Sequence, residues 1–212
     1  MSDFFLSWGW TDKKKNVLPV GSIKAPISRV KSKNIKITLI ISPCSRYLSN
    51  LSSMPMSVQC EIYNKDQINF LKNLNPNILE KLYVKPYAYD FKWGFNEELK
   101  KELTHINIEN STTSYNKIIE KSSLNISGWN STSFLESIGS NVPTIVFWSS
   151  KFTELNDDAL KLFIELKKVG VFHSNYKSAA YHLNEIYEDI DGWWNSKPVQ
   201  RAIKNFKHKQ IL

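Results

Sequence analysis

Leu124-Asn125-Ile126-Ser127-Gly128-Trp129-Asn130-Ser131-Thr132-Ser133-Phe134-Leu135-Glu136 is the stretch that decides the fold class. Leu124 to Ser127 is a short run with apolar residues at alternate positions, which reads as a strand. Gly128 permits a tight turn. Asn130 and the hydroxyl residues Ser131 to Ser133 are helix openers, and Phe134 and Leu135 carry a helix on to Ser140, ending near Gly139 and Asn141. A strand that turns directly into a helix is half of a βαβ unit. Its second strand is Pro143-Thr144-Ile145-Val146-Phe147-Trp148, apolar on both faces as interior strands of parallel sheets are.

The same alternation extends in both directions. Ile35 to Ile41 is β-branched and bounded by Ser42-Pro43, and Leu82 to Val84, Ile106 to Ile108 and Val171 to His173 are further short strands. Between them the spacing predicts helices at Gln59 to Leu74, Asn96 to Leu103, Tyr115 to Ser122 and Asn156 to Val169. Pro76 stops the first, Ser111 to Ser114 offer caps for the third, and Gly170 ends the fourth. Lys177 to Asp189 and Lys197 to Lys209 are the last helices. Ala159, Leu162, Leu166 and Val169 fall on one narrow stripe at 100° per residue, as do Ala179, Leu183, Ile186 and Ile190. About six strands separated by helices imply a doubly wound, mostly parallel, Rossmann-like α/β sheet. That domain is expected to span residues 35 to 212, with the carboxy-terminal helices crossing it. Residues 1 to 34 carry Trp8-Gly9-Trp10, Lys13-Lys14-Lys15, Pro19, Gly21 and Pro26 with no periodic element, and are expected to form an extended lead-in.

At 212 residues the chain is long enough for one domain with a substantial core. With 42% apolar and 23% charged residues, disorder of the whole chain is excluded. Cys44 and Cys60 are too few for a disulfide framework and lack the CxxC spacing of a structural zinc site. No apolar run reaches the ~20 residues of a membrane span. The start, Met1 to Leu6, lacks the basic region of a signal peptide. A cytoplasmic, reduced protein is expected. The net charge of +8 favours anionic partners without selecting one. His105, His173, His182 and His208 have no HxxxH or HxH spacing, so no metal is expected; His182 falls off its helix's apolar stripe and is expected at the surface. There is no GxxxxGK[ST], GxGxxG or GxSxG, so no cofactor is implied and no nucleophile is readable. Nucleic acid is not expected as a partner: recognised motifs are missing, and the aromatics follow buried periodicity rather than alternating with basic residues.

In doubly wound sheets ligands sit at the carboxyl ends of the strands. The helix start at Asn130, Ser131, Thr132 and Ser133 is the leading candidate, because free N–H groups and the helix dipole favour an anion and the hydroxyls add bonds to phosphate oxygens. Glu136, on the first turns of that helix, is placed to reach a ribose or sugar hydroxyl. The simpler reading is an ordinary cap with packing behind it. Arg46 follows the first strand, where a guanidinium can clamp a diphosphate or a sugar carboxylate; Lys85 ends the second; Glu154 follows the strand ending at Trp148. Their plain readings are a solvated loop arginine, a surface lysine and a first-turn carboxylate.

The run from the strand through STSFLE to NVPTIVFW resembles the donor domain of GT-B glycosyltransferases and their polyol-phosphate transferase relatives. More closely, the chain resembles a family of two-domain transferases found with bacterial surface-carbohydrate genes. That resemblance runs in order through Phe5-Leu6-Ser7-Trp8-Gly9-Trp10, Ser42-Pro43-Cys44-Ser45-Arg46-Tyr47, Trp129 to Glu136, Asn141 to Trp148 and Glu154-Leu155. It ends at Asn184-Glu185-Ile186-Tyr187 and Gly192-Trp193-Trp194-Asn195-Ser196. It implies a transferase acting on a nucleotide-activated sugar or polyol-phosphate donor in surface polysaccharide synthesis. It also implies a further amino-terminal Rossmann-like domain, as partner domain or subunit, of which residues 1 to 34 are the remnant, leaving this chain as the donor-binding half. The alternative is a non-catalytic docking module of a split transferase. The general base is not identified, since in such enzymes it often comes from the other domain.

Trp193-Trp194 precedes the last helix, where Val199, Ala202, Ile203 and Phe206 share one face and Lys197, Arg201, Lys204 and His208 the other. A docking helix with a solvated basic face is the simpler reading. Peripheral contact with an anionic membrane is the alternative.

Overall fold

Ile37–Ile40 (β3), every residue buried, is the first strand of a six-stranded sheet in the computed structural model. The structure describes residues 3–7, 9, 11, 16–21, 35–47, 54–56, 58–89, 91–149 and 154–211. Two short strands precede the sheet, Phe5–Ser7 (β1) and Val17–Pro19 (β2), paired in parallel. This corrects the expectation that the lead-in holds no element; Trp8, Trp10 and Lys13 to Lys15 lie outside the described residues.

After β3 come helix Val58–Lys72 (α1), the short helix Pro76–Leu79 (α2), strand Leu82–Lys85 (β4), helix Phe95–Glu102 (α3) and strand Asn107–Ile108 (β5). The chain then crosses through helix Tyr115–Lys121 (α4) to strand Leu124–Ser127 (β6), helix Thr132–Gly139 (α5), strand Thr144–Phe147 (β7), helix Asp157–Lys168 (α6) and strand Phe172–His173 (β8). Helix Tyr176–Ile186 (α7), a single 3₁₀ turn Tyr187–Asp189, and helices Ile190–Asn195 (α8) and Lys197–Gln210 (α9) complete it. The sheet order is β5-β4-β3-β6-β7-β8, with every pair parallel. This is the Rossmann order, in which the strand sequence reverses between β3 and β6. β7 lies between β6 and β8, the interior position expected from its apolar faces.

Alternation along the strands separates two cores. Ile37 and Leu39, Leu124 and Ile126, and Ile145 and Phe147 face α1 and α7, where Phe70 stacks on Phe147 at 4.9 Å between centroids. Val146 and the following Trp148 face α5, α6 and α9. There Phe134, Trp148, Phe163 and Phe206 pack edge to face or tilted at 5.2–6.3 Å. Trp194 is buried in that core and donates its indole N–H to Asn141 O at 3.2 Å. Burying an aromatic of this size is the largest single contribution a residue makes to such a core.

On β3, β6 and β7 the second face also carries polar side chains. Thr38 Oγ1 lies 2.7 Å from Ser122 Oγ, Asn125 Nδ2 donates to Ser137 Oγ at 3.3 Å, and Thr144 Oγ1 donates to Val142 O at 2.7 Å. All of these residues are buried, and the Thr38–Ser122 and Asn125–Ser137 bonds tie the end of α4 and α5 to the sheet, while Asn125 Oδ1 is left without a hydrogen-bond partner.

Helix ends follow local chemistry. Asn156 accepts from Ala159 N at 2.8 Å to start α6, Gly170 at φ +77° closes it, and Lys207 Nζ donates to Gly139 O at the end of α5. His182 is not at the surface as its helical phase suggests. It is half-buried, 5.2 Å between ring centroids from both His173 and Trp193, and it lies against Gly170, where a Cβ would come within 2.4 Å of its Nε2.

Candidate functional site

Register brings the carboxyl ends of three strands level: Ile40 pairs with Lys85 on one side and Ser127 on the other. Over them opens a cleft of about 420 Å³. Its walls are Ile41, Ser42 and Pro43 after β3, Lys85, Pro86 and Tyr87 at the end of β4, Ser111 to Tyr115 after β5, and Ser131, Thr132, Ser133 and Glu136 after β6. This is the ligand position of a doubly wound sheet, at the reversal of strand order.

The turn after β6 is shaped from beneath by α1. A Cβ on Gly128 would come within 2.1 Å of Gln67 Oε1, so the glycine is required for close approach. Its φ is not among the positive values, so in this turn close approach and not left-handed backbone is what calls for glycine. Gln67 is fully buried, with Nε2 donating to Tyr63 O at 3.3 Å. Tyr63 in turn accepts the Ser42 N–H on its hydroxyl at 2.8 Å and meets Trp129 edge-on at 5.9 Å. The turns after β3 and β6 are thereby tied to one side chain.

Ser131 is the N-cap residue of α5 by backbone, at φ −127°, ψ 162°, yet its side chain makes no cap bond. Its hydroxyl instead lies 2.6 Å from Ser133 Oγ and 3.4 Å from Ser127 Oγ. Ser131 is thus the N-cap by backbone alone, and the helix start lines the cleft with a hydroxyl pair, an arrangement able to receive an anion. Tyr115 holds this start in place, its hydroxyl donating to Ser133 O and lying 2.8 Å from Ser137 Oγ. Burial pushes the Tyr115 phenol far above its ordinary range, so it acts as a neutral strut.

Lys85 is buried. Its Nζ donates to Pro86 O at 2.8 Å and Ser111 O at 2.7 Å, both carbonyl oxygens. Burial lowers its pKa, with the more distant Glu109 opposing that shift. Glu109 itself is engaged by Lys36 at 2.7 Å. A buried ammonium held by carbonyls at the wall of a cleft is a positive charge that water does not neutralise.

Of the eight residues singled out from sequence, the structure brings Lys85, Ser131, Thr132, Ser133 and Glu136 to this one cleft. Asn130 is half-buried in the turn just outside it. Arg46 is exposed and lies over the Trp93 ring at 5.6 Å, beyond the cleft wall. Glu154 is exposed ahead of α6, likewise outside. Ser111 to Thr113 and Tyr87 join the wall without having been singled out as binding residues; their signal is position, since they too follow strands. Among the described residues no group of three His, Cys, Asp or Glu side chains is arranged to hold a metal, and no helix is long and apolar enough to cross a membrane.

A family model described as LIC12162 family transferase matches residues 1–212. No curated protein matches the chain. Among solved structures, the chain is similar to the C-terminal CMP-Kdo binding domain of WaaA from Acinetobacter baumannii, at 12% sequence identity over 81% of this chain and 89% of that one, with a TM-score of 0.48.

Proposed function

The chain belongs to the LIC12162 family of transferases, and we propose from that premise that its cleft holds the diphosphate of a nucleotide-activated sugar or polyol-phosphate donor. The observation that carries this reading is the buried Lys85 ammonium on the same cleft as the α5 helix start. The two deliver positive charge to one place from a side chain and from backbone N–H groups. Ser131, Thr132 and Ser133 supply hydroxyl bonds to phosphate oxygens, and Glu136, one turn further, accepts from a ribose or sugar hydroxyl. Such a site binds and orients a donor and stabilises the charge that builds on the leaving diphosphate. The acceptor and the general base come from a partner, an amino-terminal domain or subunit of the GT-B-like type, and the assembly works in the cytoplasm on surface polysaccharide. The basic face of α9, with Lys197, Arg201, Lys204 and His208 exposed, suits an anionic membrane surface there.

A second reading, a docking module of a split transferase, is favoured by one feature. Phe4, Phe5, Leu6, Leu18 and Val20 are 41–59% exposed on and beside the β1–β2 pair. An apolar strip of this kind is a contact surface.

A nucleoside diphosphate at a hundredfold excess over its Kd stabilises the protein by about 2.7 kcal/mol, roughly 5–10 °C in Tm for a chain of this size. The Ser131→Ala/Thr132→Ala variant should bind at least about tenfold more weakly, since hydrogen bonds to charged groups are worth ~1.5–3 kcal/mol each. Its stability should change by no more than about 1–2 kcal/mol, the scale of a lost cap. Wild-type affinity in that variant removes the helix start from the site. Stability lost with binding intact would return it to a plain cap.

A further inference from the structure

From Tyr87 to Phe95 an aromatic ring occupies every second position: Tyr87, Tyr89, Phe91, Trp93 and Phe95. The described residues between β4 and α3 form no strand, and the loop sorts these rings into two sets. Trp93 and Phe95 pack against the core, and Trp93 Nε1 donates to Cys44 O at 2.8 Å, fastening the loop to the turn after β3. Tyr87 and Tyr89 stand outward, 46% and 65% exposed. They are not independent of each other: Tyr87 lies near-parallel to Phe91, at 6.2 Å and 19°, and Tyr89 meets Phe91 edge-on at 4.8 Å. The result is an exposed aromatic cluster rooted at its base. Rigid aromatics of this kind give contact area at low entropic cost.

Tyr87 is also a wall of the 420 Å³ cleft. The cleft is lined by the α5 start, by the ends of β3 and β4 with Tyr87, and by Ser111 to Ser114. A ligand with its anionic group at Lys85 and Ser131 to Ser133 has Tyr87, two residues beyond Lys85, as a wall of the same cleft for its remaining length. We infer that Tyr87, backed by Phe91 and Tyr89, is the stacking platform for the planar base of the donor nucleoside; this rests on the phosphate reading above. The side chains of Pro86 and Ala88, beside Tyr87, carry no polar group to read a base edge. Stacking on this wall is tolerant of base identity, because every base has a π-face.

The test is calorimetric titration of the full chain with UDP, CDP, ADP and inorganic pyrophosphate, for wild type, Tyr87→Ala and Tyr87→Phe, with circular dichroism checking the fold. Wild type should bind each nucleoside diphosphate more tightly than pyrophosphate. Tyr87→Ala should lose roughly five- to a hundredfold in nucleoside diphosphate affinity, the range measured for single base–aromatic stacks. Its pyrophosphate affinity should stay within about twofold, and Tyr87→Phe should keep wild-type values for both, because the ring face and not the hydroxyl does the stacking. Pyrophosphate binding with no added affinity from the nucleoside, or an equal loss for both ligands in Tyr87→Ala, overturns the platform and leaves the phosphate site standing. Failure of wild type to bind any of the four ligands overturns both.

Discussion

Lys85→Met removes a buried ammonium while keeping an unbranched side chain of similar length. An ammonium has three N–H donors. Two of those of Lys85 are committed to Pro86 O and Ser111 O, which leaves one for a phosphate oxygen. Losing a hydrogen bond to a charged group costs ~1.5–3 kcal/mol. Two unit charges about 4 Å apart attract by ~4 kcal/mol at an effective dielectric of about 20. Pyrophosphate affinity should therefore fall between roughly tenfold and a thousandfold. Folding stability should move far less. Two carbonyls lose a donor, at ~1–3 kcal/mol each if they stay dry, but the several-kcal/mol penalty of burying an ammonium is relieved. The assay is calorimetric titration at several pH values beside urea denaturation of both proteins. Because burial holds the Lys85 pKa low, the free site loses its charge at a lower pH than an exposed lysine would. A bound phosphate favours the ammonium and pulls that pKa back up, so binding on the alkaline side takes up a proton and weakens as pH rises. The Met variant should lack this alkaline fall. Wild-type affinity and an unaltered pH profile in Lys85→Met would refute the role given to the lysine.

Gly128→Ala places a methyl against the fully buried Gln67 amide and should destabilise by about 1–3 kcal/mol, the scale of core overpacking. In urea denaturation, combining it with Gln67→Ala should recover part of that loss, and strict additivity would reject the clash. His173 is held neutral by burial, its pKa lowered from 6.5 to about 4, while its ring nitrogens meet Gly170 O at 3.0 Å and Ser178 Oγ at 3.2 Å. The unfolded chain takes up this proton near pH 6.5 and the folded chain only near 4, so stability falls as pH drops through that window. The total is about 3 kcal/mol, at 1.36 kcal/mol per pKa unit. His173→Gln should flatten that part of the stability–pH curve; the same slope in the variant would show that the proton goes elsewhere.

The strands were legible where a β-branched or continuous apolar run is bounded by Pro, as at Ile37–Ile40 and Thr144–Phe147. Their order was not, because pairing of β3 with β6 joins residues more than eighty positions apart. The β1–β2 pair escaped because three-residue strands carry too little period to detect. The helix read as continuous to Asp189 breaks into a 3₁₀ turn, and Asp189 Oδ1 accepts from Gly192 N at 2.8 Å to start α8. Ile186 and Ile190 stay on one stripe across that break, which hides it. His182 shows a similar limit: helical phase describes a helix's own faces, whereas the partners that cover His182 come from Gly170 and Trp193 on other elements. In the cleft, Lys85, Ser131 to Ser133 and Glu136 could be read because they lie at a strand's end or in the strand-to-helix turn and first helical turns that follow one. Ser111 to Ser114 satisfy the same rule but look locally like helix caps, and nothing in local sequence shows that Lys85 is buried.

The sheet narrows toward both margins. Its four inner strands have four residues each, whereas β5 and β8 at the edges have two. A long flat edge offers unpaired N–H and C=O groups on which another chain can template and aggregate. Margins this short offer only a residue or two of such backbone. Self-association by strand addition is thereby disfavoured at both ends, and an encounter with another protein is steered to side-chain surfaces, the loops at the cleft mouth and the helix faces.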